Sequence, residues 1–314
     1  MDAALAQASR GRGRTAPNPN VGCVLVRDAR VVGRGWTRPG GRPHAEWVAL
    51  EQAGAAARGS TAYVTLEPCA HVSPRGPACA DRLIASGVAR VVAAFEDPDP
   101  RTAGQGFARL RAAGIAVTTG VRANEARASM AGFLTRRALG RPHVTLKLAT
   151  SADGRIAPPP GQGQWLTGPL ARAHGHVERS RHEAILVGRG TLEADAPRLD
   201  VRLPGLAERS PRRLLLTSRP DAPPGWTRIA SPAAIADLAG TDHLLVEGGA
   251  QAAHAFLAAD LVDRLLWYRA PLTIGSGRDV VAALGLDTLG PAAWRLADTR
   301  TFGPDRLEIH HRIR

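Results

Sequence analysis

His44, Glu46, Cys69 and Cys79 are the residues of this 314-residue chain whose types and spacing could do chemistry. One imidazole and two thiolates form a borderline-to-soft ligand set, which suits zinc and leaves its fourth tetrahedral position to water. Glu46 follows the first ligand by two residues and is a harder donor than the site needs. It fits the group that carries protons to and from that water. Such a site hydrolyses: water adds to an electrophilic carbon and an amino group departs.

The flanking residues supply the elements that must hold these groups. Pro43-His44-Ala45-Glu46-Trp47-Val48-Ala49-Leu50 reads as a helix opening with proline. Tyr63-Val64-Thr65-Leu66 reads as a strand ending at Glu67-Pro68-Cys69. The ligands thus lie where strands hand over to helix N-termini, whose partial positive charge favours thiolate. His-x-Glu followed by Pro-Cys is the arrangement of zinc deaminases. The competing reading is a closed structural zinc site, in which Cys23 or His71 supplies a fourth ligand.

Length predicts two domains. Apolar residues make up 44% and aromatics only 4% of the chain, so the cores are expected to be built from Ala, Val and Leu. Three cysteines cannot form a disulfide framework, which points to a reducing compartment. The first twenty residues lack the apolar stretch of a secretory leader, and no run reaches membrane-spanning length, so the expected location is cytoplasmic with no membrane partner. The net charge of +13 raises nucleic acid as a partner, but the basic residues are scattered, without a dense block or interleaved aromatics. No nucleic-acid partner is expected, whereas an anionic small molecule is compatible with the charge. Lys147 is the only lysine among 41 basic residues. A compact ammonium is not replaced by a planar guanidinium, so one retained lysine hints at a site.

The first half alternates strands (21–26, 30–35, 62–66, 90–95, 115–119) with helices (43–57, 78–86, 106–113, 124–139), as in a mixed sheet flanked by helices. Gly140-Arg141-Pro142 breaks this pattern, giving domains at 1–141 and 142–314. The second half alternates strands (143–149, 184–187, 213–216, 243–247, 264–269, 306–313) with helices at 169–182 and 251–258, and Pro158–Pro160 and Pro220–Pro224 read as loops. It lacks a Gly-x-Gly-x-x-Gly fingerprint. It has two strand–glycine–helix corners, Leu186-Val187-Gly188-Arg189-Gly190-Thr191 and Leu245-Val246-Glu247-Gly248-Gly249-Ala250, which suit either phosphate binding or ordinary tight turns.

These landmarks, taken in order, resemble the bifunctional riboflavin-biosynthesis deaminase–reductase family. In the first half they are Thr15-Ala16-Pro17-Asn18-Pro19-Asn20-Val21-Gly22, Pro43-His44-Ala45-Glu46 and Thr65-Leu66-Glu67-Pro68-Cys69. In the second they are Lys147-Leu148-Ala149-Thr150-Ser151-Ala152-Asp153-Gly154, Trp165-Leu166-Thr167-Gly168, Ala184-Ile185-Leu186-Val187-Gly188, Thr191 and Val246-Glu247-Gly248-Gly249. The resemblance implies an α/β cytidine-deaminase-like N-terminal domain and an α/β dihydrofolate-reductase-like C-terminal domain. It implies zinc-dependent loss of the 2-amino group from a phosphorylated diaminopyrimidine, then NADPH-dependent reduction of the ribosyl side chain to ribityl. It also implies a homodimer through the reductase half.

Carried over by position, His44, Cys69 and Cys79 bind zinc, Glu46 moves the proton, and Asn18 and His71 line the deaminase pocket. Ala149, Trp165, Thr191, Asp195, Ser218 and Gly249 match NADPH-contacting positions. Arg179, Leu199, Arg202 and Glu247 match substrate-contacting positions, with the arginines suited to a phosphate, and Lys147 is expected to position substrate. The chain departs from the family pattern by one extra residue between Cys69 and Cys79, by Gly163 in place of a side-chain donor, and by Asp195-Ala196-Pro197 where Asp-Asp-Pro is common. A nucleic-acid or nucleoside deaminase is the rival enzyme, but such enzymes place their cysteines as Pro-Cys-x-x-Cys, a spacing Cys79 does not meet.

Overall fold

The computed structural model describes residues 1–71, 76–156, 165–275, 281, 284 and 292–314. Pro158–Pro160, Gly163 and residues 72–75 of the interval between the two cysteines lie outside them. The chain folds as two compact units, Met1–Leu139 and Gly140–Arg314.

The first unit runs α1 (Asp2–Ser9), β1 (Gly22–Arg27), β2 (Arg30–Trp36), α2 (Ala45–Ala53), β3 (Thr61–Val64), α3 (Cys79–Ala85), β4 (Arg90–Ala93), α4 (Gln105–Ala112), β5 (Ala116–Thr118), α5 (Ala123–Ser129) and α6 (Ala131–Leu139). Its five-stranded sheet has the order β2-β1-β3-β4-β5. β1 is antiparallel to both neighbours, while β3, β4 and β5 are mutually parallel, so the expected mixed sheet is present. Asp28 and Ala29 adopt positive φ (49° and 59°) between β1 and β2, the conformation of a tight hairpin whose twist matches its strands. Small and branched side chains build the core: Val21, Leu25, Ala45, Ala49, Val64, Leu83 and Leu110 are all buried in one cluster.

Two features differ from the sequence reading. The helix expected over 124–139 is two helices, interrupted at the fully buried Met130, whose backbone (φ −102°, ψ 19°) leaves helical geometry. The apolar pattern runs through the break, and Gly132, the second residue of α6, is the one nearby helix-weakening residue. α1 was not expected, because Asp2–Ser9 carries little amphipathic signal, yet Ala4 and Ala8 are fully buried.

The second unit runs β6 (His143–Thr150), α7 (Pro169–Arg179), β7 (Ala184–Gly188), α8 (Arg189–Asp195), β8 (Arg212–Leu216), β9 (Thr227–Ile229), β10 (His243–Val246), α9 (Ala250–Ala258), β11 (Arg264–Arg269), β12 (Trp294–Phe302) and β13 (Asp305–Arg312). The eight-stranded sheet has the order β12-β13-β11-β6-β10-β7-β8-β9. Its strands from β11 to β9 pair parallel, and β13 joins β11 and β12 antiparallel. A parallel sheet needs cover on both faces. Leu146, Leu186, Leu244 and Phe256 form one buried cluster, and Ile185, Val187, Leu215 and Leu245 another. β9 and β12 were not expected from sequence. β12 is mostly exposed and polar, so its strand identity comes from pairing with β13 alone.

Candidate functional site

In the first unit His44 is the N-cap of α2, and Glu46 lies in that helix's first turn, 3% exposed. Cys69 follows β3, and Cys79 opens α3. The Cys79 backbone N–H donates to Cys69 Sγ at 3.2 Å, so a helix N-terminus points at that sulfur. His44 Nδ1 lies 3.6 Å from Cys69 Sγ and 3.4 Å from Cys79 Sγ. A tetrahedral ion bonded at ordinary Zn–N and Zn–S lengths sets N and S about 3.6 Å apart. The donor set and its spacing therefore fit zinc. The Asn18 amide sits 3.2 Å from His44 Nε2, which keeps the ring turned with Nδ1 towards the thiols.

Among the described residues the metal-donor group consists of His44, Cys69 and Cys79, their donor atoms all within 4.8 Å of one another. Cys23 is instead a fully buried side chain of the β1 core, and His71 Nδ1 is 3.3 Å from Thr102 Oγ1. Neither supplies the fourth ligand that a closed structural site requires. The hydrogen bond from the Cys79 thiol, with His44 and the Cys79 backbone adding to it, lowers the Cys69 thiol against the opposing effect of burial. Burial, and then the Cys69 charge, push the Glu46 carboxyl up to about 7 in spite of His44. A buried carboxyl beside the metal donors is placed to carry a proton to and from a metal-bound water.

His44, Glu46, Cys69, Asn18 and His71 share one cavity of about 470 Å³. Its other wall contains residues that the sequence reading missed: Asp97, Asp99, Arg101 and Arg137. Glu67 holds that wall in place, its carboxylate accepting backbone N–H bonds from Asp97 (3.1 Å), Gly104 (2.9 Å) and Phe107 (3.0 Å). Burial raises Asp97 to about 6, whereas the Arg101 guanidinium holds Asp99 at about 2. The acid–proline alternation Glu96-Asp97-Pro98-Asp99-Pro100-Arg101 was the available signal.

In the second unit a cavity of about 990 Å³ opens over the C-terminal ends of β6, β7 and β10. Its walls include Lys147, Ala149, Trp165, Thr191, Asp195, Arg179, Arg202, Glu247 and Gly249, so most residues singled out there lie together. The volume is at the upper end for ligand pockets and suits a dinucleotide-sized molecule. The N-terminus of α9 faces it, and the Gly249 N–H donates to Thr191 Oγ1 at 2.9 Å, joining the two glycine corners. Helix N-termini with free N–H groups bind phosphate.

Four placements qualify the expectations. Arg179 forks onto Glu247 (2.9 and 2.7 Å), so its charge is already matched within the cavity wall and is not free for a phosphate. Arg202 is half-exposed, and its nearest acid is Asp200 at 3.8 Å. Leu199 is 4% exposed in the cluster with Ile185 and Leu245, so its side chain faces the core. Ser218 is an exposed residue just past β8, outside the cavity wall, with its carbonyl accepting from Arg228. Sequence reasoning missed Tyr268, which lines the cavity and whose hydroxyl is 2.6 Å from His174 Nδ1. Lys147 Nζ lies 5.8 Å from the centre of the Tyr268 ring.

Comparisons with known proteins match both halves of the chain. The family model for the cytidine and deoxycytidylate deaminase zinc-binding region matches residues 1–95, and that for the RibD C-terminal domain matches 142–307. The chain is 40% identical to the riboflavin biosynthesis protein RibD of Escherichia coli strain K12, covering 97% of this chain and 96% of the relative. It is 38% identical to the protein of that description from Mycobacterium tuberculosis strain H37Rv, covering 98% and 95%. Among solved structures, RibD of Acinetobacter baumannii superposes with a TM-score of 0.86 at 34% identity, covering 100% of this chain and 98% of that one. A diaminohydroxyphosphoribosylaminopyrimidine deaminase/5-amino-6-(5-phosphoribosylamino)uracil reductase of Thermotoga maritima does so at 0.88 and 32%, covering 100% and 97%.

Proposed function

The chain belongs to the RibD family of riboflavin-biosynthesis deaminase–reductases, and from that membership we propose that residues 1–141 deaminate and residues 142–314 reduce. It is a bifunctional enzyme with a cytidine-deaminase-like and a dihydrofolate-reductase-like domain. It removes the 2-amino group of 2,5-diamino-6-(5-phosphoribosylamino)pyrimidin-4-one hydrolytically and then reduces the ribosyl side chain to ribityl with NADPH. Its cofactors are zinc and NADPH. The observation that carries the assignment of roles is the convergence of His44 Nδ1 and two cysteine sulfurs beside a buried glutamate.

His44, Cys69 and Cys79 hold the zinc, with Asn18 orienting the imidazole. Zinc supplies an activated water, and NADPH a hydride. Glu46 takes a proton at its carboxylate and delivers it towards the departing amino group. His71 bounds the pyrimidine pocket. In the second unit Thr191, Gly249 and the N-terminus of α9 take the cofactor phosphates, with Ala149, Trp165 and Asp195 along its length. Arg202 bounds the sugar phosphate. Glu247, fixed by Arg179, and the Lys147 ammonium hold the ribosyl hydroxyls near the nicotinamide. The location is cytoplasmic and the assembly a homodimer through the reductase half, which sedimentation at equilibrium measures directly. Among the described residues no helix is long and apolar enough to cross a membrane. A small phosphorylated pyrimidine, not nucleic acid, is the partner.

Glu46→Gln tests the division of labour. The variant is expected to release no ammonia, while oxidising NADPH at the wild-type rate when given the deaminated intermediate. Loss of both activities in a folded, zinc-loaded variant overturns the assignment of two independent sites.

A further inference from the structure

Of the three guanidinium groups that line the deaminase cavity, Arg101 alone is held by a carboxylate at hydrogen-bond distance among the described residues. Arg42 precedes the zinc ligand His44 by two residues, and its backbone is pinned on both sides. Asn18 Nδ2 donates to the Gly41 carbonyl at 2.8 Å, and the Arg38 N–H donates to the Pro43 carbonyl at 3.1 Å. Gly41 has φ +86°, and a Cβ there would meet the Asn18 side chain at 2.7 Å, so this close approach requires glycine. Arg42 lines the cavity from this fixed loop, and its Nε is buried without a hydrogen bond. Among the described residues its guanidinium has no carboxylate partner.

Arg137 reaches the cavity from the last turn of α6, one turn beyond Phe133, which lines it too. Its nearest acid is Asp99 at 3.7 Å, and that carboxylate is already held by Arg101 through bonds of 2.6 and 3.0 Å. Three other acids face the cavity. Glu67 accepts three backbone N–H bonds, Asp97 accepts the Asp99 N–H at 2.9 Å, and Glu46 lies beside the metal donors. None of them pairs with Arg42 or Arg137.

The substrate brings a heterocycle, which must lie against Glu46 and the metal, and a phosphate at the far end of its ribosyl arm. A guanidinium presents its donors in a planar fork that matches phosphate oxygens, and two such forks suit a dianion. We propose that Arg42 and Arg137 take the 5-phosphate of the substrate in the deaminase pocket and so select the phosphorylated substrate over its riboside. The inference rests on the deaminase reading of this pocket. It places substrate selection on two residues that are neither metal ligands nor the proton carrier.

Ammonia release is measured with the phosphorylated diaminopyrimidine and with its dephosphorylated riboside, for wild type, Arg42→Met, Arg137→Met and the double variant. Zinc content and thermal melting are recorded for each. Each single variant is expected to raise KM for the phosphorylated substrate about ten- to hundredfold with kcat little changed, because a charged hydrogen-bond pair is lost. kcat/KM for the riboside stays within about twofold, and the double variant no longer distinguishes the two substrates. Unchanged discrimination, or equal losses on both substrates, overturns the proposal. Should a methionine variant lose zinc or fail to fold, Arg42→Lys and Arg137→Lys keep the charge without the fork. They are expected to show an intermediate KM for the phosphorylated substrate alone, and a KM equal to wild type overturns the proposal. Absence of ammonia release by zinc-loaded wild type from either substrate would instead refute the deaminase reading itself.

Discussion

Glu247 has 9% of its side chain exposed and Arg179 15%, and two N–H···O bonds join them in the reductase cavity. Burial alone would raise the Glu247 carboxyl, but the charge and hydrogen bonds of Arg179, with Lys147 adding, hold it at about 2. Its ordinary value is 4.5, so the pair's contribution to stability is complete above that pH and is lost as pH falls towards 2. Arg179→Met strands a buried carboxylate and is expected to cost about 3 kcal/mol at neutral pH, with a smaller cost in acid. Urea unfolding followed at pH 7 and pH 3 checks the magnitude and its sign. NADPH oxidation should fall with the loss of the positioned carboxylate, while ammonia release stays near wild type. Glu247 was legible in its strand–glycine corner. Its pairing with Arg179 was not, because the partner lies 68 residues away on another element.

Helix α2 connects the zinc site to the sheet beneath it. Gly35 of β2 lies under α2 so closely that a Cβ would meet the Ala45 carbonyl oxygen at 2.0 Å. Backbone cannot yield as a flexible side chain can, so Gly35→Ala must lift the helix start, which carries His44 as its cap and Glu46 in its first turn. The expected outcome is a loss of about 1–3 kcal/mol in stability and zinc binding weakened at least about tenfold. Chelator competition and thermal melting check it. The helix itself was readable from its apolar face, although it begins at Ala45, two residues after the proline expected to open it, and ends at Ala53, short of the expected 57. The break between α5 and α6 was not, since Met130 leaves helical geometry for a buried position that only the packed unit creates.

For the whole molecule, the two units have separate cores, one built on the five-stranded sheet and the other on the eight-stranded sheet. Each cavity is lined by residues of a single unit. Removing zinc with a chelator is therefore expected to abolish ammonia release while leaving NADPH oxidation on the deaminated intermediate within about twofold. Restored zinc should restore the first activity, which parallel assays of the same preparation would show. The chemistry was written in the chain itself. Ligand types, the Glu46 offset and the glycine corners are local, and local spacing survives into any fold that keeps the segments intact. Apolar runs alternating with helical patterns likewise announced two α/β sheets, because a strand covered on both faces reads as a continuous apolar stretch. Tertiary structure decided which charges remain available. Arg179 is matched by Glu247 and Arg101 by Asp99, while Arg137 only reaches the already held Asp99 at 3.7 Å and Arg42 Nε is buried without a hydrogen bond. Leu199 turns to the core instead of the cavity. Such outcomes depend on distances between residues far apart in sequence, and electrostatic pairing is set by separation and burial, which spacing along a chain does not encode.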